Sequence, residues 1–218
     1  MNLTPMKIDF VSDVTCPWCA VGLSSLLQAL DQTKDALHAT LHVQPFELNP
    51  EMPPGGEDVT EHLVRKYGGP PEKFAQSRAV LSERGAAVGF HFHPDGRGRI
   101  YNTFNAHRLL HWAGLQHADA QLALKRALLS AYHGRAEAVD TDEVLLAAVR
   151  SAGLDADRAK AILASDEYAA DVRAAERVWR DAGIHAVPAV VINDRHLISG
   201  AQPPEVFAQA LRQIASEE

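Results

Sequence analysis

Two cysteines, Cys16 and Cys19, stand three residues apart in the stretch Cys-Pro-Trp-Cys, and the 218-residue chain has no others. Thiols at this spacing can exchange disulfides: Cys16 attacks as a thiolate, and Cys19 then attacks the mixed disulfide and releases the product. Cys16 should stand at the start of a helix, where unpaired N–H groups and the helix dipole lower the thiol pKa below about 8.5. Pro17 suits the first helical position, because its missing N–H costs no hydrogen bond there.

A structural zinc site is the main alternative for the cysteine pair. Structural zinc takes four nitrogen or sulfur ligands, so histidines would have to complete the set. The chain has 11 histidines, including the pairs His91/His93 and His107/His111. His107/His111 lacks the glutamate of the metalloprotease helix motif. Histidines on loops and helix surfaces explain both pairs more simply, so we expect no metal; a Cys-x-x-Cys that arose by chance is a further alternative.

The composition is that of an ordinary globular protein, with 46% hydrophobic and 22% charged residues. A chain of this length buries a core without disulfide staples. The net charge of −7 and the lack of a Lys/Arg run argue against nucleic-acid or anionic-membrane binding. No apolar run is long enough to span a membrane, and residues 1–14 do not resemble a signal peptide. We therefore expect a cytosolic protein, in which a lone cysteine pair is catalytic or metal-binding rather than structural.

The elements around the cysteines form a β-α-β unit. Alternating apolar residues predict strands over 6–11 and 39–46. The helix between them is predicted from four leucines at helical spacing, Leu23, Leu26, Leu27 and Leu30. A helix connecting two short strands at this spacing favours parallel pairing.

The end of the chain predicts a β-β-α unit, and the middle is mostly helical. Two short apolar runs flank Asn193-Asp194, which predicts a hairpin turn, and a last helix follows Pro203-Pro204. Neither outer unit can bury a sheet alone. We therefore predict an α/β protein in which residues 1–50 and 184–218 share one sheet, with residues 51–183 as an inserted helical domain.

Five segments resemble, in order, the motifs of one family: DVTCPWCAVG, PFELNPEMP, NTFNAHRLLHWA, AVPAVVIND and ISGAQPPEVF. Over nearly its whole length the chain resembles the DsbA-like thioredoxin superfamily and, within it, the FrnE-type dithiol-disulfide oxidoreductases and isomerases. The resemblance implies a thioredoxin-like fold with a large all-helical insertion. It also implies Cys16 as nucleophile, Cys19 as resolving thiol, and a cis peptide bond before Pro188 that faces the cysteines.

The resemblance also indicates where substrate would bind. Pro17, Trp18, Val187 and Pro188 are predicted to contact it, with the Val187 backbone pairing with an extended substrate as an added strand does. Periplasmic DsbA typically has a histidine at the position of Trp18, and that histidine helps to stabilise the thiolate. We therefore expect a less depressed Cys16 pKa and a less oxidising couple here.

Four further residues could line a groove beside the cysteines: Asp13, Asn102, His107 and Arg108. Asp13 lies three residues before Cys16 and could move protons. A solvated or capping aspartate is the simpler interpretation. Helix capping and surface charge are equally simple interpretations of the other three.

The expected partners are protein thiols and disulfides, or glutathione as a ligand or redox partner, and no cofactor is required. The alternative is a glutathione-dependent transferase or isomerase related to the kappa transferase and hydroxychromene-carboxylate isomerase branch, which shares the fold. That branch usually has serine at the position of Cys16, so the intact cysteine pair favours the oxidoreductase. A non-catalytic partner-binding protein on the same fold is a third hypothesis. The substrate, the direction of electron flow and the oligomeric state do not follow from the sequence.

Overall fold

The computed structural model describes residues 3–217. The strands are β1 (Thr4–Ser12), β2 (Leu37–Pro45), β3 (Glu57–Asp58), β4 (Arg99–Ile100), β5 (Ala189–Ile192) and β6 (His196–Ser199). The helices are α1 (Pro17–Thr33), α2 (Val59–Tyr67), α3 (Pro71–Ala87), α4 (Phe104–Gln116), α5 (Ala118–Leu129), α6 (Asp142–Ser151), α7 (Ala156–Leu163), α8 (Ala169–Asp181) and α9 (Pro204–Ser216). A π-helical turn, Ser130–Gly134, continues α5.

The main sheet joins the two ends of the chain. Its strand order is β2-β1-β5-β6, with β1 parallel to β2 and antiparallel to β5. Asn193 and Asp194 form the turn between β5 and β6, with φ of 51° and 56°. Two successive positive φ values match the twist of a two-residue hairpin. The predicted β-α-β and β-β-α units and their shared sheet are therefore present.

The core lies on both faces of β1, because successive side chains of a strand point to opposite faces. Ile8 and Phe10 are fully buried in an apolar cluster with residues of α1 and α9. Val11 faces the other side and packs with Ala189 in a smaller cluster. Burying a side chain of this size contributes about 1.5–3 kcal/mol to stability. Packing against the sheet therefore holds α1 in place.

The inserted segment packs along the free edge of β2. Gln121 of α5 accepts a hydrogen bond from the Val43 N–H at 2.8 Å and donates one to the Val43 carbonyl at 3.0 Å. These bonds satisfy backbone groups that an open sheet edge would leave exposed. Within the mostly helical insertion, β3 and β4 pair as a two-residue ribbon that the sequence analysis did not predict. The domain boundaries 1–50, 51–183 and 184–218 stay a prediction.

Within residues 3–217, no helix combines the length and the apolar character needed to cross a membrane.

Candidate active site

The two cysteines stand at the start of α1. Cys16 is the N-cap residue and Pro17 the first helical residue, as predicted. Both thiols are buried, with Cys16 4% and Cys19 0% exposed, whereas Trp18 between them is 37% exposed. Cys16 is therefore the slightly more accessible of the two cysteines and adjoins an exposed tryptophan.

The residues predicted to bind substrate lie beside Cys16. The Cys16 thiol donates a hydrogen bond to the Val187 carbonyl, with 3.5 Å between sulfur and oxygen. The Val187-Pro188 peptide bond is cis, as the resemblance implies. A Cβ on Gly22 would lie 3.0 Å from Cγ of Pro188, closer than most side-chain contacts allow. Glycine at position 22 thus lets α1 approach Pro188.

The two thiols differ in acidity. A hydrogen bond from the Cys19 side chain lowers the pKa of Cys16, and the positive charge of Arg97 adds to this against the effect of burial. Burial raises the pKa of Cys19 well above its ordinary value, and the neighbouring Cys16 raises it further. The sequence analysis attributed the lowered Cys16 pKa to the helix start. The structure adds a specific hydrogen-bond donor to the Cys16 thiolate, the Cys19 thiol. Cys16 is the thiol that forms a thiolate first, which is the order that nucleophile and resolving thiol require.

We expect alkylation by iodoacetamide to report two well-separated thiols. Cys16 should react first and at a lower pH than an ordinary thiol, while Cys19 should react only well above the ordinary thiol range. Cys19→Ala removes the thiol donor and should raise the Cys16 pKa. Cys19→Ser retains a hydroxyl donor at the same place and should raise it less. Two thiols that titrate together near 8.5, or equal effects of both variants, would contradict this assignment.

The backbone before Cys16 is held by the inserted segment. His133 lies in the π-helical turn, and its Nε2 is 2.9 Å from the Val14 carbonyl. A carbonyl only accepts, so Nε2 carries the hydrogen; burial lowers the pKa of His133 well below its ordinary value and keeps the ring neutral. Arg97 donates to the Thr15 carbonyl at 2.7 Å. The inserted segment therefore positions residues 13–16 between β1 and α1, which we call the cysteine loop.

Asp13 is buried rather than solvated. It is 1% exposed and accepts hydrogen bonds from the Thr15 hydroxyl at 2.9 Å and the Leu48 N–H at 2.8 Å. Oδ1 lies 3.4 Å from Nε2 of His107. Burial raises the pKa of Asp13, but His107 and the donors outweigh it and hold the carboxyl well below its usual range. The solvated interpretation is thus wrong: Asp13 is an ionised anchor of the cysteine loop.

Two of the other groove candidates have structural partners away from the cysteines. Asn102 accepts from the Phe104 N–H at 2.9 Å and donates to the Met52 carbonyl at 3.1 Å, so it stabilises the start of α4. Arg108 is buried and donates to carbonyls that follow α7, including the Glu167 carbonyl at 2.9 Å. These bonds give both side chains a structural role, and their place in a substrate groove stays a prediction. Of Asn102, His107 and Arg108, only His107 lies beside the cysteine loop, where it contacts Asp13.

Three residues near the cysteines were missed by the sequence analysis: Arg97, His133 and Lys125, a buried lysine whose charge acts on Cys19. Arg97 lies in the loop before β4, and His133 in a π-helical turn that ordinary helical spacing does not predict. Lys125 was detectable, because it interrupts the apolar face of α5 between Leu122 and Leu129. Among residues 3–217, no group of three or more His, Cys, Asp or Glu side chains is placed to hold a metal ion.

Comparison with known proteins identifies the family. The model of the DSBA-like thioredoxin domain matches residues 7–212. A probable DsbA oxidoreductase from Streptomyces coelicolor is 34% identical, with a TM-score of 0.88 over 98% of this chain and 91% of that one. A search of curated protein sequences finds no match.

Two more distant structures show the same fold. A 2-hydroxychromene-2-carboxylate isomerase is 16% identical, with a TM-score of 0.72 over 97% of both chains. The cytosolic disulfide reductase DsbM from Pseudomonas aeruginosa, in a structure with GSH, is 16% identical, with a TM-score of 0.65 over 96% of this chain and 99% of that one. The predicted thioredoxin-like α/β fold is confirmed, and the chain belongs to the DsbA-like thioredoxin family of disulfide oxidoreductases and isomerases.

Proposed function

We propose that this protein exchanges disulfides through a mixed disulfide on Cys16, which Cys19 then resolves. In the oxidising direction for the protein, the Cys16 thiolate attacks one sulfur of a substrate disulfide and the other sulfur leaves as a thiolate. Cys19 next attacks the Cys16 sulfur, the bond to the substrate breaks, and the second substrate thiolate leaves. The protein gains a Cys16–Cys19 disulfide, and the substrate is reduced. The reverse steps oxidise a substrate dithiol.

One observation carries this proposal: the thiol whose pKa is lowered lies beside the exposed Trp18 and the Val187 carbonyl, and the thiol whose pKa is raised is fully buried. Cys16 is 4% exposed and contacts the partly buried Val187 carbonyl, whereas Cys19 is fully buried. A reaction that needs one thiolate at the entrance and one protected thiol behind it fits this arrangement.

We further propose that glutathione is a redox partner. Its short peptide backbone can lie beside Val187, and the half-buried guanidinium of Arg97 offers a positive charge near Cys16 for a carboxylate. The DsbM structure with GSH supports this proposal by analogy of fold. The cytosolic location and the FrnE-type assignment both stay predictions from sequence.

A trapping experiment tests the proposal. Cys19→Ser leaves Cys16 able to attack but removes the thiol that resolves the mixed disulfide, so adducts should accumulate on Cys16. The variant is incubated separately with oxidised glutathione and with cell lysate, and adducts are mapped by mass spectrometry. Cys16→Ser is the matched control and should carry none.

The adducts also separate the proposed function from its alternative. Protein adducts that a reductant releases would support a disulfide oxidoreductase or isomerase. Glutathione as the sole adduct would favour the transferase-like branch, with which the chain shares a fold. Folded Cys19→Ser protein that keeps a free Cys16 thiol and forms no adduct would refute disulfide exchange.

A further inference from the structure

Lys125 is a buried lysine that has no hydrogen-bond partner among residues 3–217. Its side chain is 0% exposed, and no acceptor within the described residues reaches Nζ. It stands on α5 between Leu122 and Leu129, three residues after one and four before the other, so the three share a face of the helix. Both leucines pack against the apolar cluster that contains Cys16 and Cys19. Lys125 therefore faces the inner side of the cysteine pair.

A buried ammonium without a partner is costly, so such a group either loses its proton or is balanced by a nearby negative charge. The titratable groups in electrostatic contact with Lys125 are Cys19, Asp13, Cys16 and His133.

Among these groups, Cys19 has the strongest electrostatic effect on Lys125. Asp13 is already bound by the Thr15 hydroxyl and the Leu48 N–H. The buried His133 donates to the Val14 carbonyl and stays neutral. The Asp13 carboxylate is ionised and the N–H of neutral His133 is held by the Val14 carbonyl, so Cys19 is the neighbouring group that can pass a proton to Lys125 and then balance its charge as a thiolate.

We propose that Lys125 accepts the proton of Cys19 when this thiol resolves the mixed disulfide, and returns it when the protein is reduced again. This inference rests on the function proposed above. In the resolving step the Cys19 S–H proton moves to the neutral Nζ, the Cys19 sulfur bonds to the Cys16 sulfur, and the bond from Cys16 to the substrate sulfur breaks. The substrate leaves with the electron pair as a thiolate. The step therefore forms one disulfide and breaks another. The proton of the Cys19 thiol ends on Lys125, which becomes an ammonium.

Acidity supports this transfer. Burial lowers the pKa of Lys125 and raises the pKa of Cys19. The two values move towards each other, and a proton passes most easily between groups of similar pKa. A thiol with a raised pKa is otherwise slow to form the attacking thiolate near neutral pH.

The aromatic disulfide DTNB separates the two steps in one experiment. Attack by Cys16 releases one coloured thiolate, and attack by Cys19 on the resulting mixed disulfide releases the second. In Lys125→Met we expect the first release to stay within about twofold and the second to slow by at least about tenfold at pH 7. Lys160→Met, which removes an exposed lysine from α7, should leave both releases unchanged.

The pH profile adds a readout that a purely structural role would not change. Without Lys125, the second release should rise about tenfold per pH unit up to the raised Cys19 pKa, whereas the wild type should level off at a lower pH. Methionine has a similar length and removes a buried charge, a change that cores often tolerate. Lys125→Gln, which is polar but cannot accept the proton, is the second variant if Lys125→Met does not fold.

Three outcomes would overturn the role of Lys125. They are an unchanged second release, an equal slowing of both releases, and a pH profile that the substitution does not shift. A wild-type protein that fails to release even the first thiolate would instead refute the proposed function.

Discussion

Replacing Cys16 with serine should slow disulfide exchange by at least about a thousandfold, because a serine hydroxyl is not ionised near neutral pH and cannot form a disulfide. The lowered pKa of Cys16 and its place at the entrance of the site make it the thiol that attacks first. Turnover is measured as reduction of a small disulfide in the presence of an excess of reducing thiol.

Cys19→Ser is the matched comparison, since it makes the same sulfur-to-oxygen replacement at the other cysteine. It should keep the first attack and accumulate a mixed disulfide, because Cys19 acts only in the second step. Similar turnover in wild type and Cys16→Ser would show that disulfide exchange occurs elsewhere or not at all. Loss of the first attack in Cys19→Ser, with the fold intact, would contradict the assigned order of the thiols.

The substitution Asp13→Asn should have the largest effect on stability. A hydrogen bond to a charged group contributes about 1.5–3 kcal/mol, and the buried Asp13 carboxylate accepts several of them. Asn keeps the size of Asp13 but has one acceptor oxygen, whereas Asp13 uses both of its oxygens: Oδ2 accepts from the Thr15 hydroxyl and the Leu48 N–H, and Oδ1 accepts from the Thr15 N–H at 3.3 Å. Urea unfolding at pH 7 measures the loss. Asp31→Asn, at an exposed carboxylate on α1, is the control and should change stability by less than about 0.5 kcal/mol.

The effect of Asp13→Asn should depend on pH in a defined direction. The folded pKa of Asp13 is lowered, so its stabilising contribution is present above the ordinary carboxyl pKa of about 4 and is lost as the pH falls below it. The stability difference between wild type and variant should therefore be constant from pH 7 to about pH 5 and shrink towards pH 3. A difference below about 1 kcal/mol at pH 7, or one that grows at low pH, would show that Asp13 is not a buried ionised anchor.

The parts of the site that could be predicted are those encoded by neighbouring residues. Cys16, Pro17 and Cys19 define a helix start through spacing alone, and the observed α1 begins at Pro17. The hairpin at Asn193-Asp194 is likewise local, since the turn type depends on those two residues.

The contacts around the cysteine loop depend instead on distant parts of the chain. Arg97 bonds the Thr15 carbonyl across 82 positions, and His133 bonds the Val14 carbonyl across 119. No local pattern specifies which backbone group a distant side chain will meet. Asp13 was interpreted as solvated for the same reason: His107 of the inserted segment contacts it and belongs to the packing that buries it.

The most direct test of the account follows one reaction of the reduced wild-type protein with oxidised glutathione. Samples are quenched with acid at intervals, and the mass of the intact protein and the position of each modification are determined. We predict that one glutathionyl group appears on Cys16 first, and that it disappears as the protein loses two hydrogens and forms the Cys16–Cys19 disulfide, with two reduced glutathione molecules released. Folded protein that keeps two free thiols throughout, or that carries its first glutathionyl group on Cys19, would contradict the account.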